Sequence, residues 1–219
     1  MYKVSPPSLT DGLVIVEALA IFAFAISGLL EGARKRLDAV GVCVVTGLTA
    51  FGGGTLRDIL LDRRPFFWVE HATWLWALLL LCIVAMFFLR TRHFEPTERA
   101  MQWPDAVGLG LFTASGTQVA LTQGMPAIVA VLMGMITAVF GGVLRDIVCN
   151  EIPSAFRDHR PYAICSFTGG WVLVGVQALY APAWLGMLGA VVVAAGLRTL
   201  ALATGFTLPK WSPDGLPRG

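Results

Sequence analysis

What this chain has least of is charge. Of its 219 residues 14% are Asp, Glu, Lys or Arg, whereas 56% are hydrophobic; a soluble domain usually carries about 25% charged residues. Such a sequence has too little polar surface to cover a soluble core of this size, so lipid is the solvent for most of it. The formal net charge of +2 gives no argument for a nucleic-acid partner, because the position of the charges matters more than their sum. Cysteine is scarce as well. Cys43, Cys82, Cys149 and Cys165 sit in or beside apolar stretches and form no CxxC pair, and His71, His93 and His159 are scattered in loops, so reduced core thiols are expected and a metal site or disulfide framework is not. The signatures of nucleotide loops, zinc peptidases and serine hydrolases are missing too. No enzyme and no cofactor are expected, and no metal beyond a transient monovalent cation. A secretory signal is also lacking: one basic residue, Lys3, precedes Pro6, Pro7 and Asp11, and the apolar run that follows reaches Leu30, too long for a signal peptide.

What is present is a series of long apolar runs. A helix needs about 20 apolar residues to cross the hydrocarbon layer, and stretches near 12–30, 38–60, 71–89, 104–123, 126–149, 162–180 and 183–204 meet that need. Barrel strands would alternate over shorter segments. Pro65, Pro104, Pro126, Pro161 and Pro182 fall where helices should stop or start. The expected fold is an all-α membrane protein of seven transmembrane helices in one membrane domain spanning 1–219, with a short cytoplasmic tail at 205–219. Basic residues orient it. Arg34, Lys35, Arg36, Arg90, Arg92, Arg99, Arg157, Arg160, Lys210 and Arg218 lie on one side, and Lys3, Arg63 and Arg64 on the other. The excess predicts the N-terminus outside and the C-terminus in the cytoplasm.

The chain also repeats itself. FGGGTLRDI at 51–59 matches FGGVLRDI at 140–147, and the Arg57-Asp58 and Arg145-Asp146 pairs are 88 residues apart. Without a gap, the same offset aligns Ser27-Gly28 with Ser115-Gly116, Thr49-Ala50 with Thr137-Ala138 and Pro65 with Pro153. Repeat one covers about 12–89, repeat two about 104–180, and the helix at 183–204 stands outside. Three helices per unit is an odd number, so the second unit enters the membrane from the opposite side. The plan is an inverted 3+3 repeat plus a seventh helix, typical of transport proteins whose working site lies at the repeat interface.

The informative residues lie on the second and fifth helices. Gly52, Gly53 and Gly54, and then Gly141 and Gly142, permit a kink or an unwound turn lining a path; they equally suit close helix packing. Arg57, Asp58, Arg145 and Asp146 follow directly. An ionisable group in hydrocarbon costs about 2.5–3.5 kcal/mol on insertion scales and seeks a partner in the interior, although snorkelling to the headgroups is the alternative. Across an inverted interface Arg57 is expected to meet Asp146, and Arg145 to meet Asp58, as candidate charged gates. A polar stripe runs along helix four through Ser115, Gln118 and Thr122, with Gln123 beside it. Thr46 and Thr49 on helix two, and Gly134 and Thr137 on helix five, add further polar or small positions. These are oxygen ligands for a monovalent cation or simply interhelical hydrogen-bonding groups. Glu17 and Asp105 correspond across the repeat. Each lies near a helix N-terminus, where it complements the macrodipole or draws cations to a mouth.

Gly-Gly-Gly-Thr-x-Arg-Asp at 52–58, its shorter copy Gly-Gly-x-x-Arg-Asp at 141–146, and the 3+3+1 plan resemble the bacterial branch of the trimeric intracellular cation (TRIC) channel family over nearly the whole chain. The resemblance implies a homotrimer in a bacterial inner membrane, in contact with lipid and monovalent cations. It implies a potassium-permeable pore in each protomer, lined by the glycine-kinked second and fifth helices. The implied lining includes Gly52, Gly53, Gly54, Thr55, Arg57, Asp58, Gly141, Gly142, Arg145 and Asp146. Val143 stands where the first copy has Thr55, and the Lys-Glu-Val motif of the animal branch is absent, so animal-type gating is not carried over. Bacterial relatives are also grouped as glycine transporters, which leaves a secondary transporter of a small amino acid as the alternative. A structural membrane subunit is a third class.

Overall fold

The apolar runs become helices. The computed structural model describes residues 7–92, 97–157 and 159–209; Lys3, His93, Lys210, Arg218 and most of the expected tail lie outside them. The long helices are α1 (Pro7–Arg34), α2 (Ala39–Leu60), α4 (Thr73–Arg92), α5 (Glu98–Thr122), α6 (Ala127–Val148), α8 (Ala163–Ala178) and α9 (Ala183–Thr204). Two single turns, α3 (Phe67–Glu70) and α7 (Ser154–Arg157), follow α2 and α6. The order long, long, single turn, long thus occurs twice before α9.

Local chemistry sets the ends. Asp38 caps α2 by accepting from Gly41 N at 2.7 Å, satisfying a donor that the first helical turn leaves free. Pro126 and Pro182 precede α6 and α9. Helix α5 departs from the expected start at Pro104. Thr97 caps it by accepting from Ala100 N at 3.2 Å, and Pro104 sits inside the helix. Four helices are long and apolar enough by themselves to cross a membrane: Gly12–Arg34, Ala39–Leu60, Ala127–Val148 and Ala183–Thr204. Thr73–Phe87 and Ala163–Ala178 are apolar but shorter, and α5 carries Glu98, Arg99 and Asp105 in its first half.

The repeat offset carries into the backbone. Both ends of α2 and α6 differ by 88 residues. Asp62 and Asn150, at the same offset, are left-handed with φ of 49° and 57°, a conformation that Asp and Asn tolerate better than most residues. Beyond them Arg63 N and Glu151 N reach back to Asp58 O and Asp146 O, each at 2.8 Å, so the two helices close in the same way.

Helix α1 packs on α2 and α5, α6 packs on α2, α5 and α8, and α9 lies across α8 and α5. Phe24 and its counterpart Phe112 stack on each other at 5.4 Å, so a residue meets its own equivalent at the centre. Helix α4 lies against α1 and α2 and exposes Trp76, Leu80, Val84 and Phe87 along one side, as expected of a face turned to lipid or to another subunit.

Candidate functional site

Arg57 and Arg145 are each 0% exposed in a molecule whose bulk is hydrocarbon. A buried guanidinium is stable only where carboxylates and hydrogen-bond acceptors surround it, and both have them. Arg57 donates through Nε to Asp58 Oδ1 at 2.9 Å and through Nη1 to Glu17 Oε1 at 2.5 Å. Arg145 donates through Nε to Asp146 Oδ1 at 2.8 Å and through Nη1 to Asp105 Oδ1 at 2.7 Å. Each arginine is thus held by two carboxylates; Arg63 Nη1, 3.9 Å from Asp58 Oδ1, brings the first cluster to a formal charge of zero, and the second stands at −1. The second oxygen of each aspartate ties down the chain after its helix: Asp58 Oδ2 accepts from Phe67 N at 2.9 Å and Asp146 Oδ2 from Ser154 N at 2.8 Å.

The expected cross-pairing of Arg57 with Asp146 and of Arg145 with Asp58 does not occur. Neighbours on a helix diverge by about 100°, but the long arginine side chain curls back to the carboxylate beside it. The second carboxylate comes from the first long helix of the same half. Glu17 and Asp105, read from sequence as partners of a helix dipole or as mouth residues, are thus the inter-helix counter-ions of the buried arginines.

No backbone break occurs at the glycines. Helix α2 runs unbroken through Gly52, Gly53 and Gly54, and α6 through Gly141 and Gly142. Their use is close approach. A methyl on Gly53 would strike the Thr137 carbonyl oxygen, and one on Gly141 the Thr49 carbonyl oxygen. These two contacts exchange under the 88-residue offset, so α2 and α6 cross reciprocally, as two-fold-related surfaces do. Gly54 lies under the Phe67 ring and Gly142 beside Tyr162 and Asp105.

The remaining candidates divide. Thr49 and Thr137 use their hydroxyls on the carbonyls of Val45 and Met133, and Thr122 uses its own on Val119 at the exposed end of α5. Thr55 turns away from the clusters, bonding Phe51 O and accepting from Trp68 Nε1 at 3.0 Å. Gln118 accepts from Gln177 on α8. Thr46 and Ser115 are fully buried, and their hydroxyls have no hydrogen-bond partner among the described residues.

Four participants escaped the sequence reading. Ser27 accepts from Arg145 Nη1 at 2.6 Å. Tyr162 donates to Asp105 Oδ2 at 2.7 Å. Arg198 of α9 stacks over the Tyr162 ring at 4.7 Å and donates to Pro161 O at 3.0 Å. Thr117 is buried with its hydroxyl unpartnered. Arg198 had a usable signal, since a lone arginine in the middle of an apolar helix calls for a functional explanation.

Two matched helix sets, each closing on a buried arginine with two carboxylates, define an all-α multi-pass membrane protein of duplicated build. The family model described as "Glycine transporter" matches the chain twice, over 14–90 and 102–178, which repeats the offset of 88. A UPF0126 membrane protein of Deinococcus radiodurans is 37% identical over 76% of this chain and 78% of that protein. The UPF0126 inner membrane protein YadS of Escherichia coli strain K12 is 35% identical over 87% and 92%. Among solved structures, the TRIC trimeric intracellular cation channel orthologue from Rhodobacter sphaeroides superposes with a TM-score of 0.81 at 33% identity, covering 89% of this chain and 98% of that one. The chain belongs to the bacterial UPF0126 membrane-protein family, matches the glycine-transporter family model, and has the fold of the TRIC channels. Its place is a bacterial inner membrane.

Proposed function

We propose that the chain is a monovalent cation channel, permeable to potassium, with a path inside each protomer between the two halves. The observation that carries this is the pair of buried clusters, one in each half, in which an arginine is held between two carboxylates. An arginine alone would repel a permeant cation. Held by two acids it is neutralised and fixed in position, and the cluster of Arg145 with Asp105 and Asp146 keeps a net negative charge that attracts cations. Thr46 and Thr117, buried with hydroxyls that have no hydrogen-bond partner among the described residues, supply oxygens of the kind that replace part of an ion's hydration shell. The glycines Gly53 and Gly141 bring α2 and α6 into contact and set the width of the path. The likeness to a cation-channel orthologue at 33% identity supports the same activity.

All seven long helices cross the membrane on this account, as two inverted sets of three plus α9, with the N-terminus outside and the C-terminus in the cytoplasm. Pairing inside the bundle offsets the charges that make α5 polar, because Asp105 is matched by Arg145. Three copies assemble as in the trimeric orthologue. Recording purified protein in planar bilayers tests the function: unitary potassium currents are expected, and their absence alongside saturable glycine counterflow would favour the transporter that the family model describes. An active phosphatase fused at the C-terminus would overturn the orientation, and crosslinking in membranes that stops at dimers would overturn the trimer.

A further inference from the structure

The apolar and glycine contacts that join the two halves are reciprocal, but the polar side-chain contacts that join them are not. Ser27 on α1 accepts from Arg145 on α6, and Lys35 after α1 pairs with Glu151 after α6. Both contacts join the C-terminal end of α1 to that of α6. Under the 88-residue offset their counterparts are Ser115 with Arg57 and Gln123 with Arg63, at the ends of α5 and α2. Neither counterpart is made. Ser115 Oγ and Arg57 Nη2 are buried and have no hydrogen-bond partner among the described residues, and Arg63 Nη1, also without a hydrogen bond, stays within its own half, 3.9 Å from Asp58 Oδ1. Arg57 Nη2 lies 2.8 Å from Asp58 Oδ1 without the alignment of a hydrogen bond. An apolar cluster joins this end of α2 to that of α5: Leu61 packs against the group formed by Ala120 of α5 with Ala130 and Met133 of α6.

Buried polar groups without partners cost free energy, and here they occur together, on the residues whose equivalents are bonded at the other junction. We infer that the two junctions are alternate latches of one conformational switch. The structure shows the state in which the α1–α6 junction is latched and the α2–α5 junction released. In the other state Arg57 turns to Ser115, Arg63 turns to Gln123, and Ser27 and Glu151 are freed. The switch rests on the path proposed above between the halves, because α1–α6 and α2–α5 flank its two ends. The exchange of latches gates that path, tightening one end as it loosens the other.

Amide hydrogen exchange in lipid nanodiscs tests the switch without requiring any current. The amides of residues 149–152 are freed in the second state and protected in the first. A hydrogen bond to a charged group shifts such an equilibrium by about tenfold or more. Ser27→Ala should speed exchange at 149–152 about tenfold, and Glu151→Gln should act in the same direction. Ser115→Ala should slow it by a similar factor, although Ser115 makes no hydrogen bond in the state shown. If Ser115→Ala leaves the rate unchanged, or moves it as Ser27→Ala does, the alternation is wrong even where potassium currents persist. Opposite shifts in a protein that passes no current would uphold the switch and remove the channel.

Discussion

Replacing glycine with alanine should have opposite signs at two places on the same helix. At Gly47 a methyl meets nothing within 4 Å. Alanine there gains the usual helix preference over glycine, roughly 1 kcal/mol. At Gly53 the added carbon would overlap the Thr137 carbonyl oxygen and reach 3.5 Å from Gly141 N. Both neighbours are backbone, so no side chain can swing aside and the helices themselves must part. Overpacking of this kind typically costs about 1–3 kcal/mol, occasionally more, and separating α2 from α6 also loosens Gly141 on the Thr49 carbonyl. Because both neighbours are backbone, the cost falls in the upper part of that range, about 2–3 kcal/mol, and set against the gain in propensity the net loss is about 1–2 kcal/mol. In a chain of this size that lowers the melting temperature by roughly 2–8 °C. Thermal melts of the purified protein in one detergent provide the comparison: Gly47→Ala should melt at or above the unaltered protein and Gly53→Ala clearly below it. Equal melting of the two variants would refute the claim that these glycines hold the helices together. Gly141→Ala is the internal replicate and should resemble Gly53→Ala.

Arg145→Ala leaves Asp105 and Asp146 buried without their cation, a loss of about 3–5 kcal/mol; combining it with Asp105→Asn should recover part of that loss in the same melts, and strict additivity would contradict the cluster. Tyr162→Phe removes a single bond to Asp105 and should cost about 1–2 kcal/mol, with a larger loss if Arg198 also leaves the ring. Gly124 has φ of +76° with open space around it, so Gly124→Ala should destabilise by about 1 kcal/mol from backbone strain alone, and a neutral result would show that the turn after α5 relaxes.

Much of the fold was legible because it follows from composition and period. The apolar runs marked every long helix, and the tandem Arg-Asp motifs fixed the register of α2 and α6, whose bounds differ by the offset read from the sequence. Contacts between helices were less legible, because they depend on rotation about each axis, which an almost uniformly apolar helix barely encodes. Hence Arg57 and Arg145 were matched to carboxylates in the wrong half. At Gly53 and Gly141 the sequence leaves a kinked path and close packing both open, and the backbone neighbour at their surface accounts for them by packing. Tyr162 gave no signal, being one more aromatic residue beside a proline. Pro104 misled in another way: Thr97 supplies a cap that lets α5 begin earlier, so the proline falls inside the helix.

Phe24 stacked on Phe112 has a consequence for how such a chain can originate. At a two-fold point a residue touches its own equivalent, so one gene coding for one three-helix polypeptide already specifies both sides of the junction. Two copies of that short polypeptide would stack phenylalanine on phenylalanine and set each glycine on the other's threonine carbonyl. Fusion of the two copies then frees each to diverge. The differences now seen between the halves, Lys35 against Gln123 and Arg63 against Glu151, are substitutions that an assembly of identical copies cannot make on one side alone.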